Sequence, residues 1–97
     1  MEDAFVQVIL KEVRGEQTIS PSNLDAPIVN FIKEGIYDID SKVGWKIDYD
    51  IDLFARKLLK NYVFYARFGK LDEFKIRYEG DYVDLQQKYF LCQKEIS

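Results

Sequence analysis

The sequence predicts a small all-α protein, a three-to-four-helix bundle with an extended C-terminal tail. Apolar residues recur at intervals of three and four in three segments, the spacing that places side chains on one face of a helix. Glycines follow two of these segments, and glycine is the common residue just past a helix end. The chain length suits one domain, so residues 1–97 are expected to fold as a single unit.

The N-terminal segment, residues 4–13, is predicted to form a short helix. Phe5, Ile9 and Val13 follow one another at intervals of four and would share one helical face. The many β-branched residues leave a strand as the alternative. Gly15 is expected to end the element, and a turn-rich connector follows it.

The next segment, residues 26–42, has the most regular helical pattern. Asp25 is suited to cap its N-terminus, and Pro27 lies in the first turn, where a missing N–H costs no hydrogen bond. Gly44 supplies a stop at the C-terminal end. The apolar face of this helix consists of Ile28, Ile32, Ile36, Ile39 and Val43.

A third helix is predicted over residues 51–67, with Asp48 or Asp50 as its N-terminal cap and Gly69 beyond its end. The short turn around Gly69 requires the next helix to fold back against this one. The predicted apolar stripe consists of Phe54, Leu58, Tyr62 and Tyr65, widened by Ile51, Ala55, Leu59 and Ala66.

The last helix is predicted over residues 71–90. Gly80 lies inside it and costs about 1 kcal/mol relative to alanine, so a bend or a break is expected there. Periodicity is weak after Phe90, and residues 91–97 are predicted to form an extended tail. The core is expected to include Leu58, Phe74 and Tyr78.

Composition argues against catalysis and against a bound metal. The chain has no histidine and one cysteine, which removes the usual acid–base residue, an internal disulfide and a structural zinc site. Cys92 has only Lys88 and Lys94 near it in sequence, so we expect a core or tail cysteine and not a nucleophile. We therefore expect no enzyme activity and no cofactor.

The net charge and the hydropathy of the chain indicate where the protein is located and what it can bind. A net charge of −3 argues against non-specific binding to DNA, which needs a basic surface. The N-terminal residues lack a basic start and a small-residue cleavage site, so no secretory signal is predicted. No apolar run approaches the roughly 18 residues of a membrane helix. We expect the protein in the cytoplasm, or in a particle assembled there.

Aspartates cluster around Gly44, at positions 38, 40, 48, 50 and 52. If Asp38 began a calcium-binding loop, Val43 would stand where glycine is required and Tyr49 where glutamate is required. The calcium-loop pattern therefore fails. Helix capping and a solvated loop explain the carboxylates more simply, with a divalent ion, or a metal-dependent nuclease, as the alternative.

Basic residues gather on the predicted third helix and just after it, and they have two interpretations. They form an exposed face, or they pair with the acidic loop of a neighbouring subunit in a head-to-tail ring. On the second interpretation the subunit contacts would be Asp38, Asp40, Asp48, Asp50, Arg56, Lys57, Lys60 and Arg67.

The region from Ala55 to Tyr89 carries a recognisable series of apolar and aromatic residues: Leu58, Leu59, Tyr62, Tyr65, Arg67, Leu71, Phe74, Tyr78, Leu85, Gln86 and Tyr89. This series resembles the last two helices of the helical head–tail connector (adaptor) family of long-tailed bacteriophages. The similarity extends more loosely to Asp25. The chain departs from the family pattern at Gly80-Asp81 and in a longer N-terminal stretch.

The resemblance implies a structural role in the virion, at the head–tail interface, after assembly in the host cytoplasm. Such subunits form a ring, typically of about twelve copies, between the portal protein and a stopper or tail-completion protein. DNA would pass through the ring without specific binding, and the chain alone would be monomeric or weakly associated. The residues implied in portal binding are Phe90, Leu91, Cys92, Gln93, Lys94 and Ile96. The alternative is a small helical regulator or inhibitor that binds one host or phage protein.

Overall fold

A computed structural model describes the backbone of residues 2–17 and 25–96, and the side chains of residues 4–17 and 26–92. Most of these residues are in helices and none is in a strand, so the all-α prediction is confirmed and the alternative of an N-terminal strand is wrong. The helices are α1 (Glu2–Glu16), α2 (Asp25–Val43), α3 (Leu53–Arg67), α4 (Leu71–Arg77) and α5 (Glu79–Ile96).

Helix α2 is the centre of the packing. It contacts α1, α3 and α5, and the short α4 connects α3 to α5. The Cα atoms span 46 × 31 × 18 Å, and the smallest of these dimensions corresponds to two layers of helices. The bundle is therefore thin, and the outer face of each layer is open to solvent or to a partner.

The tightest crossing is between α2 and α3, at Gly35. A Cβ atom at this position would lie 2.7 Å from Cδ1 of Leu59 and 2.9 Å from Cδ1 of Tyr62, closer than side-chain atoms normally approach. Both of these side chains are buried. Glycine is thus required here for close approach of the two helices and not for a turn.

Aromatic rings form the packing at the corner between α3, α4 and α5. The ring of Phe74 is fully buried, with its centroid 5.3 Å from that of Tyr62, 5.7 Å from Tyr65 and 4.8 Å from Tyr78. The predicted core positions Leu58 and Phe74 are buried, whereas Tyr78 is only partly buried. Exposed large apolar residues include Ile51 and Phe54, so their predicted place in the buried stripe is wrong.

The predicted limits of α1 and α3 differ most from the structure, and those of α2 differ by one residue at each end. Helix α1 continues through Gly15 to Glu16, because Gly15 does not adopt the left-handed conformation that Gly44 and Gly69 do, with φ of 78° and 66°. Helix α3 begins at Leu53 and is capped by Asp52, whose carboxylate accepts a hydrogen bond from the Ala55 N–H. The predicted caps Asp48 and Asp50 are wrong, since both lie in the turn that precedes the cap.

The predicted helix over residues 71–90 is divided in two. Helix α4 ends at Arg77 and α5 begins at Glu79, so the expected break occurs two residues before Gly80. Helix α5 is described through Ile96, and the predicted extended tail over residues 91–97 is not confirmed. No glycine or proline follows Gly80, so nothing in the backbone chemistry of this segment ends the helix earlier.

Candidate interaction surface

Three of the aspartates around Gly44 accept hydrogen bonds from tyrosine hydroxyl groups of the same chain. The pairs are Asp38–Tyr82, Asp40–Tyr49 and Asp52–Tyr89. The distance between the hydroxyl oxygen and the carboxylate oxygen is 2.7 Å in the first two pairs, and the third pair is the most buried. Two of them connect to α5, so the aspartate cluster holds the bundle together through directed hydrogen bonds.

Asp52 joins the start of α3 to α5, and its side chain is only 4% exposed. One carboxylate oxygen accepts the Ala55 N–H at 3.0 Å, and the other accepts from Lys88 Nζ at 2.9 Å and from the Tyr89 hydroxyl. Burial alone would raise the pKa of Asp52. The hydrogen bonds from Tyr89, Ala55 and Lys88 together outweigh burial, so its pKa lies below its ordinary value.

Asp40 has the opposite electrostatic balance. Its carboxylate accepts from the Tyr49 hydroxyl at 2.7 Å and from the Ile47 N–H at 3.3 Å, but burial has the larger effect and raises the pKa of Asp40. Burial, followed by the nearby carboxylate, also raises the pKa of Tyr49, and the same causes act on Tyr82 and Tyr89. These tyrosines therefore act as neutral hydrogen-bond donors.

Basic residues of α3 pair with α1 of the same chain. Arg56 donates hydrogen bonds to Glu12, and Lys60 Nζ lies 3.2 Å from Glu12 and 2.6 Å from Glu16. At the end of α3, Arg67 donates to the side-chain oxygen of Gln17 at 2.6 Å. These contacts explain how α1 is attached to α3.

The structure distributes the eight predicted subunit-contact residues between two environments. Most of these eight residues have a partner within the chain, either a tyrosine hydroxyl or a side chain of the N-terminal segment, residues 2–17. Asp38 also lies 3.3 Å from Lys42. Asp48, Asp50 and Lys57 are exposed, although Asp50 reaches Arg56 at 3.5 Å. Contact of this set with another subunit stays a prediction.

Within the described side chains, no group of three or more histidine, cysteine, aspartate or glutamate residues is placed to hold a metal ion. The aspartate cluster is instead occupied by tyrosine, lysine and backbone donors. None of the helices in residues 2–17 and 25–96 combines the length and apolar character needed to cross a membrane.

The end of α5 exposes apolar side chains in the segment predicted to bind the portal. Phe90 and Leu91 are 55% and 60% exposed, whereas Cys92 is partly buried against the core. The side chains of Gln93, Lys94 and Ile96 lie outside the described residues. Of the predicted portal-binding set, Phe90 and Leu91 therefore have the surface exposure that a contact residue requires.

A second exposed apolar surface lies where α3 turns into α4. Phe64 and Phe68 are 42% and 56% exposed, and their ring centroids are 5.2 Å apart. With Tyr65, Lys70 and Glu73 they line a shallow groove, and these five residues are called the aromatic corner below. Sequence reasoning missed it, although apolar residues outside the buried stripe of an amphipathic helix were the available signal.

Comparison with known proteins does not assign this chain to a family. No family model matches it, and no significant match was found among curated proteins or among solved structures.

Proposed function

We propose that this chain is a structural protein, a subunit of the connector ring between the head and the tail of a long-tailed bacteriophage. The residue series from Leu58 to Tyr89 supports the proposal, and so does the helical fold in which that series lies. Within the series, Leu58, Leu59, Phe74 and Leu85 are buried. These residues maintain the bundle, which leaves partner recognition to other, exposed positions.

Exposure of Phe90 and Leu91 near the end of α5 is the observation that carries the proposal. Large apolar side chains at interfaces supply much of the binding energy when a partner covers them. The resemblance assigns this segment to the portal, so the two residues would be the anchors of that contact. The opposite side of the ring would meet the stopper or tail-completion protein, and the net charge of −3 would let DNA pass without sticking.

Co-sedimentation with portal rings from the phage or prophage that encodes this chain tests the proposal. The wild-type protein should sediment with the rings, and the double variant Phe90→Ser/Leu91→Ser should remain in the supernatant. The control is Ile76→Ser, which changes another exposed apolar residue, in α4. Failure of the wild-type protein to bind portals would reject the connector proposal, and retained binding of the double variant would reject only the anchor residues.

A small helical regulator or inhibitor is the second candidate, and one observation favours it. On one of the two interpretations of the basic residues, Arg56, Lys60 and Arg67 reach a neighbouring subunit, but each has a partner within the chain. This reduces the charge available for contacts around a ring. Electron microscopy of the protein bound to its partner separates the candidates, since a connector gives a ring and a regulator gives a complex of defined small stoichiometry.

A further inference from the structure

The aromatic corner has the composition of a protein–protein contact. Phe64 lies on the outer side of α3, and Phe68 follows one turn later, at the end of the helix. The two rings contact each other, and the ring of Phe64 also lies edge-on to Tyr65, with centroids 5.7 Å apart. Tyr65 in turn packs on the buried Phe74, so the exposed pair stands on a rigid base.

Rigid, half-exposed aromatic side chains are the residues that most often dominate binding energy, because they lose little conformational entropy on association. The groove between them has a volume of about 370 Å³ and is lined mainly by apolar surface. A partner that covers this corner would therefore bury aromatic surface from Phe64 and Phe68.

The charges around the corner indicate what that partner is. Lys70 and Glu73 line the same groove, are both exposed, and form no ion pair with each other or with another described residue. The guanidinium of Arg67 is already engaged, over the ring of Phe68 at 5.2 Å and with Gln17. The groove lining thus carries one positive and one negative side chain, Lys70 and Glu73, beside the aromatic pair.

A surface with one charge of each sign on its rim is complementary to itself under twofold rotation. If two copies meet at this corner, Lys70 of each copy approaches Glu73 of the other, and the four phenylalanine rings pack between the two ion pairs. A partner of one charge sign would leave either Lys70 or Glu73 facing a like charge. A second copy of the chain satisfies both charges at once.

We propose that the aromatic corner is a twofold contact between two copies of this chain. The contact goes beyond the connector proposal, because ring closure uses two different faces of each subunit, whereas this contact pairs one face with itself. It also uses α3 and α4, and the proposed portal anchors lie on α5. A dimer would be expected in solution, in the absence of portals.

Sedimentation velocity over a concentration series tests the proposal, with far-ultraviolet circular dichroism to verify the fold of each variant. The wild-type chain should show reversible dimerisation, and Phe64→Ser/Phe68→Ser should raise the dimer Kd at least about tenfold, which corresponds to about 1.4 kcal/mol. The matched control is Leu53→Ser, an exposed apolar residue on the same helix about 16 Å away from Phe64. Wild-type protein that stays monomeric up to about 1 mM would overturn the proposal.

Charge reversal tests the twofold geometry without altering an aromatic residue. Lys70→Glu and Glu73→Lys should each weaken the dimer, because each places like charges opposite one another. The double variant Lys70→Glu/Glu73→Lys should restore it, since each reversed residue then meets a reversed partner. A dimer that the single reversals leave unchanged, or that the double variant fails to restore, would show that this corner is not the contact. Portal co-sedimentation is read separately, so failure here leaves the connector proposal standing.

Discussion

The hydroxyl of Tyr89 on α5 donates a hydrogen bond to Asp52, the residue that caps α3. The same carboxylate oxygen also accepts from Lys88. The buried Asp52 side chain therefore has two roles: it accepts a hydrogen bond from an N–H of the first turn of α3, and it holds α5 against that turn. Lys88 and Tyr89 on α5 both donate to Asp52, and the loss of stability on removing each donor can be measured separately.

Tyr89→Phe should lower the free energy of unfolding by about 1.5–3 kcal/mol, the range for a hydrogen bond to a charged group. The hydroxyl is lost while the ring, which stacks on Trp45 with centroids 5.6 Å apart, remains. Urea unfolding followed by circular dichroism measures the change. The control is Tyr37→Phe. Because Tyr37 is 76% exposed, loss of its hydroxyl should change the free energy of unfolding by less than about 0.5 kcal/mol. Equal stabilities of the two variants would contradict the prediction.

Stability should fall in acid in a way that depends on Asp52. Its pKa is lower in the folded chain than in the unfolded chain, so its contribution is complete above the unfolded pKa of about 3.9. The contribution is lost as the pH falls through the lower, folded pKa. Asp40 has a raised pKa and acts in the opposite direction, because its protonation on acidification favours the folded chain.

The measurement is the unfolding temperature of wild type and Asp52→Asn between neutral pH and about pH 3. Asp52→Asn should be much less stable at neutral pH, and the difference should shrink as the pH falls. A difference that stays constant with pH would mean that the charge of Asp52 does not contribute to stability.

Alanine substitutions at two helical glycines should have opposite effects. Gly35→Ala should destabilise the fold by about 1–3 kcal/mol, because the new methyl group would overlap the buried side chains of Leu59 and Tyr62. Gly80→Ala should be neutral or stabilise by up to about 1 kcal/mol, since a Cβ there meets no atom within 4 Å. Thermal unfolding of both variants measures these two effects. A Gly35→Ala substitution that stabilised the fold would show that α2 and α3 cross less closely than described above.

Phe74→Ala should lower the free energy of unfolding by about 3–5 kcal/mol, because the ring is fully buried among Tyr62, Tyr65 and Tyr78 and its removal would leave a cavity. Phe64→Ala should cost less than about 1 kcal/mol in a monomer, because Phe64 is exposed. Chemical denaturation of the two variants, at a concentration where wild type is monomeric, gives the comparison. A loss under about 1 kcal/mol for Phe74→Ala would mean that this face is open to solvent.

Local patterns in the sequence were sufficient for α2, for α3 and for the glycine stops that follow them, but not for the end of α1, which continues through Gly15. Apolar spacing identified α2 and α3, and Gly44 and Gly69 adopt the left-handed conformation expected of residues that follow a helix. The choice of helix cap was not local. Asp48, Asp50 and Asp52 alternate along the chain, and each has the chemistry of a cap. The structure selects Asp52, which also binds Lys88 and Tyr89, 36 and 37 positions away.

The candidate site was harder to predict for a similar reason. The sequence left two interpretations of the basic residues of α3, an exposed face or a contact with a neighbouring subunit, and neither placed them against α1. Their partners Glu12 and Glu16 lie more than forty positions earlier, on α1. The aromatic corner had no charge pattern or motif to mark it. The available signal was that its two phenylalanines lie outside the apolar stripe predicted for α3.

The aspartate–tyrosine pairs also determine the alignment of α5 along its neighbours. Apolar faces tolerate sliding, because a helix shifted by one turn presents a similar row of side chains. Such a shift moves every group by about 5.4 Å, well beyond hydrogen-bond reach. Tyr82 would then leave Asp38 and Tyr89 would leave Asp52, and the Ala55 N–H on α3 would be the remaining described donor to the buried Asp52 carboxylate. These pairs thus select one alignment among several that hydrophobic packing alone would accept.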